Sequence, residues 1–166
     1  GGHTQRVTLY SQAIAKYLQL TPSERKWVKI TSVLHDIGKI GIEDDILKKP
    51  KPLSPEEFHI IKRHSNMGAE IIEHIRQLKE IIPGVKYHHE QVDGKGYPDG
   101  LRGEDIPILA KIVAVSDTYD AMTTDRPYRK AMDKKMAIDE LKRCSGTQLD
   151  KEVVEAFIQA YQNGEI

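Results

Sequence analysis

Two capping boxes constrain this chain more than any other local feature. Thr21-Pro22-Ser23-Glu24 and Ser54-Pro55-Glu56-Glu57 each place a hydroxyl at an N-cap, proline at the first helical position and glutamate at the third. The hydroxyl accepts from a first-turn N–H and the glutamate returns the bond, while proline lacks only an N–H that the helix leaves unpaired anyway. Both strings therefore predict helix starts. The first helix carries Trp27, Val28, Ile30, Val33 and Leu34 and is expected to end at Gly38 and Gly41. Upstream, Val7, Tyr10, Ile14, Tyr17 and Leu18 recur at helical spacing. Phe58, Ile61 and His64 follow the second box, and Met67, Ile71, Ile75 and Leu78 predict a helix stopped near Pro83-Gly84. Ile108, Ile112, Val115, Tyr119 and Met122 define a strongly apolar helix. Two more close the chain, one near 134–143 and one after Asp150 with Val154, Phe157, Ile158 and Tyr161. With little period-2 alternation, the expectation is an all-α domain.

One stretch breaks the pattern. Residues 92–107 hold Gly94, Gly96, Gly100, Gly103, Pro98 and Pro107, too many turn formers for helix, and a long irregular loop in a small domain is often functional. The 166 residues suit one domain, with no internal repeat or low-complexity tract. Lysine and arginine number 25, as do aspartate and glutamate, which argues against a bulk grip on polymeric nucleic acid or anionic lipid. The single cysteine, Cys144, excludes an internal disulfide framework and a cysteine-rich zinc site, and fits a reducing cytoplasm. No apolar run approaches the roughly 20 residues of a membrane span, and no signal peptide opens the chain. Lys48-Lys49-Pro50-Lys51-Pro52 reads as a solvated basic turn.

Histidine supplies the chemistry. His35-Asp36 ends an apolar helix and continues as Ile37-Gly38-Lys39; His64 follows Phe58 and Ile61 by helical steps; His88-His89 stand just before the glycine-rich loop. Asp117 lies near the end of an apolar stretch, where a carboxylate is costly unless it is paired or binds a cation. Taken singly, each has a plainer explanation: a satisfied core histidine, a helix-end hydrogen bond, an ion pair with a nearby arginine. Together, His3, His35, His64, His88 and His89 with Asp36 and Asp117 make a mixed nitrogen and oxygen donor set. Such a set suits iron or manganese rather than a structural zinc cluster, and seven donors exceed the needs of one ion. A two-metal site holds a bridging hydroxide and clamps a phosphoester.

The strings His35-Asp36-Ile37-Gly38-Lys39 and His88-His89-Glu90-Gln91-Val92-Asp93-Gly94-Lys95-Gly96-Tyr97-Pro98 resemble the signatures of the HD-GYP family within the HD-domain superfamily. The likeness continues through Gly100-Leu101, Gly103, Ile106-Pro107, Asp117 to Thr123, Asp125-Arg126-Pro127-Tyr128-Arg129 and Gln148-Leu149-Asp150, so it covers nearly the whole chain. It implies an HD-domain helical bundle with an irregular GYP loop. It also implies a phosphodiesterase that hydrolyses cyclic di-GMP to pGpG, GMP or both, some members acting on cyclic GMP-AMP, with two or three metals that are often iron. Carried over residue by residue, it makes His3, His35, Asp36, His64, His88, His89 and Asp117 metal ligands. Asp36 is then the bridging carboxylate, and Lys39 stands beside the metals and the scissile phosphate. Tyr97, Arg126 and Arg129 contact substrate together with Lys39. Three-metal members carry a glutamate upstream of the early histidine. This sequence begins two residues before His3, so two metals are the reading it supports directly.

The implied mechanism is attack of a metal-bridging hydroxide on a phosphodiester, with Asp36 and Lys39 as the catalytic pair. Glu90 and Asp120 are expected to orient ligand imidazoles, with Asp120 pairing with Arg126 as the plainer alternative. Tyr97 either packs on substrate or only braces its loop. His59 and His74 read as surface residues and Cys144 as a small buried side chain. The resemblance further suggests the output domain of a longer cytoplasmic protein, 1–166 forming one domain behind a sensory or receiver domain. Apolar first and last helices would allow a homodimer. Two other functions stay open: hydrolysis of a different nucleotide (cyclic GMP-AMP or pGpG), and a catalytically silent cyclic-dinucleotide receptor.

Overall fold

Residues 2–166 are described by a computed structural model. Every regular element among them is helical: α1 His3–Tyr17, α2 Pro22–Leu34, α3 Asp44–Leu47, α4 Pro55–Lys62, α5 His64–Glu73, α6 Ile82–Tyr87, α7 Ile108–Thr123, α8 Lys134–Cys144 and α9 Lys151–Gln162. The two capping boxes form as predicted. Thr21 accepts from the Glu24 N–H and Ser54 from the Glu57 N–H, and each glutamate returns the bond to its cap. Glu57 also accepts from Lys49, which lies in the basic turn, at 2.5 Å. Hydrogen bonds from Lys49 and Ser54 hold its carboxyl down at about 2 against an ordinary 4.5. Ser54→Ala should cost about 1 kcal/mol in chemical denaturation at pH 7. Because the folded pKa is depressed, the Glu57 contribution is complete above about pH 4.5 and should vanish as pH falls toward 2.

The apolar α7 is the central post. Residues on several of its faces are buried, and it packs against α1, α2, α6, α8 and α9. Its Ile112, Val115, Tyr119 and Met122 join Ile14, Val28, Leu141, Val153 and Phe157 in the main core. Ile108, expected on the same face, is 41% exposed because it opens the helix at the surface. A second cluster gathers Ile72, Ile81 and Val85 under Trp27, Ile30 and Leu34. Helices α8 and α9 fall where the sequence puts them, each capped by an aspartate, Asp133 and Asp150. Lys111, buried in α7, reaches Asp150 at 3.1 Å and so ties the post to the start of α9.

Two boundaries differ from expectation. Helix α2 stops at Leu34, and Ile37–Gly41 tightens into a 3₁₀ turn. The reason is contact: a Cβ on Gly38 would lie 1.8 Å from the His64 carbonyl oxygen, so the turn lies directly on the α5 backbone. The helix expected from Met67 to Leu78 breaks after Glu73 into a 3₁₀ segment, Arg76–Ile81. Pro83-Gly84 lie inside α6 rather than ending a helix. Pro83 sits in the first turn, where its missing N–H is not needed, and Gly84 packs closely on Thr31 and Leu109.

The loop at 92–107 is irregular as expected, apart from a 3₁₀ turn at Gly103–Asp105. Its start is sewn to the α8–α9 turn: the Asp93 N–H donates to the Thr147 carbonyl at 2.9 Å and the Val92 N–H to that of Gln148 at 3.4 Å.

Candidate metal centre

The imidazoles are oriented by helix ends. The last carbonyls of a helix have no partner within it. His35 follows α2, His88 follows α6, and His64 follows the last residue of α4 by two positions. In each case Nδ1 lies against the carbonyl three residues earlier: His35 on Ser32 at 2.6 Å, His64 on Ile61 at 2.6 Å and His88 on Val85 at 2.7 Å. A carbonyl only accepts, so Nδ1 is the donor in all three rings, and Nε2 is left to face the site as a lone pair. His3 follows the same logic with a different partner. Its Nδ1 donates to Asp120 at 2.6 Å, and Asp120 also accepts from Arg6 Nε at 2.5 Å. Asp120, 1% exposed, thus fixes the orientation of the His3 ring, and its cationic partner is Arg6 rather than Arg126.

These inward nitrogens converge on Asp36. Its Oδ1 lies 3.4 Å from His64 Nε2 and 3.7 Å from His88 Nε2; its Oδ2 lies 3.2 Å from His35 Nε2 and 3.5 Å from His3 Nε2. Asp117 completes the second side, 3.3 Å from His3 Nε2 and 3.8 Å from His35 Nε2. Two donor groups result, Asp36 with His64, His88 and His89, and His3 with His35 and Asp117, with Asp36 touching both. All seven donors read from the sequence come together. Lys39 Nζ stands 3.0 Å from Asp36 Oδ2 at the edge of the group.

The electrostatics suit cations. Burial works against charge on Asp36, yet the imidazoles of His3, His35, His64 and His88 gathered around it hold its carboxyl far below the usual range. Asp117 is also low, burial again being outweighed, here chiefly by His35. Burial would lower His35, but Asp117 and Asp36 lift it to about 10. His88 and His89 are lowered by burial and stay neutral. The donor set fits divalent metal ions: two carboxylates held anionic face the neutral His88 and His89, and the positive charge that Asp117 and Asp36 favour at His35 is what a cation would supply there, its Nε2 being a buried nitrogen with no hydrogen-bond partner.

The centre floors a cleft of about 690 Å³ whose walls include Arg6, Lys39, Phe58, Tyr97 and Arg126. Tyr97 stacks on His89, with centroids 4.9 Å apart and planes 20° apart, and burial raises its hydroxyl pKa. It therefore braces the His89 ring and faces the cleft at once. Arg126 lines the cleft, whereas the exposed Arg129 donates to the Ala121 carbonyl at 2.8 Å and does not line it. The expectation for Glu90 changes. Its carboxylate touches no imidazole; Oε1 accepts from the N–H groups of Asp99 at 2.6 Å and Gly100 at 3.1 Å, and Oε2 from Leu101 at 2.9 Å. It clamps the GYP loop, because three adjacent loop amides need an acceptor and the buried Glu90 is directly beneath them. Glu90→Gln keeps one acceptor oxygen and turns an NH₂ toward an amide. It should cost about 1–3 kcal/mol and speed amide exchange across 92–107, with bound metal retained. His59 and His74 are exposed and Cys144 is buried, as read.

Arg6 is the residue that sequence reasoning missed. It stands three residues after His3 on α1, hence on the same helix face, and that spacing was the available signal.

An HD-domain family model matches residues 1–153 of the chain. A cyclic di-GMP phosphodiesterase from Thermotoga maritima is 43% identical over 161 residues, 95% of this chain and 43% of that protein. The 3'3'-cGAMP-specific phosphodiesterase 3 of Vibrio cholerae is 37% identical, over 84% of this chain and 31% of its own length. Among solved structures, Bd1817, an HDG"Y"P protein from Bdellovibrio bacteriovorus, aligns with a TM-score of 0.76 at 24% identity, over 96% of this chain and 51% of that one, which shows the fold. The chain belongs to the HD-domain family, and its likeness to the HD-GYP branch holds across nearly its full length. It spans less than half the length of these curated relatives. No helix among the described residues is long and apolar enough to cross a membrane.

Proposed function

We propose that this chain is the catalytic domain of a metal-dependent phosphodiesterase that hydrolyses cyclic di-GMP to pGpG, GMP or both. One observation carries the reading: a single carboxylate, Asp36, is shared by two convergent donor groups at the floor of a cleft edged by Lys39 and Arg126. Asp36 with His64, His88 and His89, and His3 with His35 and Asp117, would hold two divalent ions, which would supply a water of lowered pKa and neutralisation of charge on phosphate. Iron is the metal this reading assigns, with manganese next, since the donors are nitrogen and oxygen without thiolate.

The chain's own groups do the rest. Asp36 and Asp117 supply fixed negative charge, and Asp120 holds His3 in the ligating orientation through Nδ1. Lys39, tethered to Asp36, directs its ammonium at non-bridging phosphate oxygens, where it stabilises charge that grows in the transition state. Arg126, which also lines the cleft, holds phosphate. Tyr97 closes the loop side of the cleft and limits water. On the same reading the full protein is cytoplasmic, and this domain is its output module behind a sensory or receiver domain.

A second substrate is retained because cGAMP-specific enzymes are among the relatives at 37% identity. The test is direct. Purify the protein anaerobically, measure bound metal, and follow hydrolysis of cyclic di-GMP and cyclic GMP-AMP in parallel. Faster turnover of cyclic di-GMP is expected. Faster turnover of cyclic GMP-AMP transfers the reading to that substrate, and tight binding of both without hydrolysis by metal-loaded protein makes the domain a receptor.

A further inference from the structure

Behind the wall formed by Phe58, His89 and Tyr97, a smaller lobe of about 390 Å³ adjoins the cleft and shares Asp117 and Ala121 with it. We propose that this lobe is a purine-base subsite in which the carboxamide of Gln148, with that of Gln91, reads the base edge of the dinucleotide. The inference rests on the phosphodiesterase reading and deepens it.

The two lobes differ in chemistry. Arg6, Lys39 and Arg126 line the larger lobe, whereas no lysine or arginine lines the smaller one. Phosphate is therefore drawn to the first, and the second takes an uncharged part of the ligand. Its carboxylates are already engaged, Asp117 with His3 and His35 and Glu90 with three loop amides. Ala114, Met122 and Leu149 offer apolar surface for a flat ring. Gln91, Thr118 and Gln148 supply the polar groups, and none of their side chains has a hydrogen-bond partner among the described residues.

Gln148 is also well anchored. It sits in a turn closed by Gly146 N–H on the Leu149 carbonyl at 2.7 Å and Leu149 N–H on the Cys144 carbonyl at 3.1 Å, while its own carbonyl accepts from Val92. The backbone of the subsite is thus built without the Gln148 side chain. A carboxamide offers one acceptor oxygen and two N–H donors. The guanine edge presents O6 as acceptor beside N1–H and N2–H as donors, so one glutamine pairs with it bidentately. A cyclic dinucleotide placing one phosphodiester over Asp36 would lay one base behind Tyr97.

The test compares two substrates on metal-loaded protein: cyclic di-GMP, and bis(p-nitrophenyl) phosphate, which carries no purine. In Gln148→Leu the ratio of kcat/KM for cyclic di-GMP to that for bis(p-nitrophenyl) phosphate should fall roughly 10- to 100-fold, through KM for the dinucleotide. An unchanged ratio overturns the subsite, whether both rates persist or both fall together as a merely structural defect would make them. If wild-type protein hydrolyses bis(p-nitrophenyl) phosphate but neither cyclic dinucleotide, the cyclic-dinucleotide reading of the site fails and the subsite with it.

Discussion

Asp36→Ala is expected to strip both metal sites at once and to lower dinucleotide hydrolysis by at least about a thousandfold, the upper range for loss of a key electrostatic stabiliser. The magnitude follows from geometry. Asp36 faces His64 and His88 with one oxygen and His3 and His35 with the other, so its loss takes a carboxylate from beside both groups. A His64→Ala variant removes a donor from one group only and should retain part of the metal. The measurement is metal content by elemental analysis beside turnover. A readout independent of activity is the chelator response. Ligands that bind only the folded state stabilise it, by about 2.7 kcal/mol at a hundred times Kd. EDTA should therefore lower the melting temperature of the wild type and leave that of Asp36→Ala unchanged. Full metal content in Asp36→Ala would overturn the assignment of the centre.

Gly38→Ala should be the most destabilising conservative change in the chain. Its Cβ would lie 1.8 Å from the His64 carbonyl oxygen, 2.5 Å from the Gly68 nitrogen and 2.8 Å from the His64 carbonyl carbon. All three are backbone atoms, which cannot swing aside as a side chain can. Overpacking typically costs 1–3 kcal/mol, and a clash against helix backbone belongs at or beyond the top of that range, about 3 kcal/mol or more. In a domain of this size that corresponds to a melting temperature lower by about 6–12 °C or more. Gly41→Ala is the control: its Cβ meets only the end of the Met67 side chain, at 2.7 and 3.2 Å, and the loss should stay below about 1 kcal/mol. Gly38→Ala should also weaken metal binding, because parting the 3₁₀ turn from α5 moves Asp36 away from His64. Equal melting temperatures for the two variants would contradict this packing.

Much of the centre was legible because its signals are local. A capping box spans four residues, and both were read where they form. The positions of α8 and α9, the turn-rich 92–107 loop and the seven candidate donor residues could likewise be listed from the chain. Even the histidine orientation is short-range: each of His35, His64 and His88 donates to a carbonyl three residues back, so a histidine just past a helix end is set by that helix.

What the sequence by itself determined, then, was the class of fold, the two helix starts marked by capping boxes and which histidines and aspartates to look for as a cluster, since these depend on neighbours within a turn or two. Tertiary structure alone decided how the donors divide. The two oxygens of Asp36 are chemically alike, and only the tertiary packing that brings His3 of α1, His35 after α2, His64 of α5 and His88 after α6 up to it assigns each oxygen to its own group of imidazoles. It decided that Glu90 holds the loop rather than a histidine, because the three amides it accepts lie nine to eleven residues away. It also separated Arg126, at the cleft, from Arg129, turned back on the end of α7. Pro83-Gly84 make the same point from the other direction. They carry a strong local stop signal, yet they sit inside α6, where Thr31 and Leu109 leave room for nothing larger than glycine at position 84. Local propensity is worth about a kilocalorie per residue, and close packing against two other helices outweighs it.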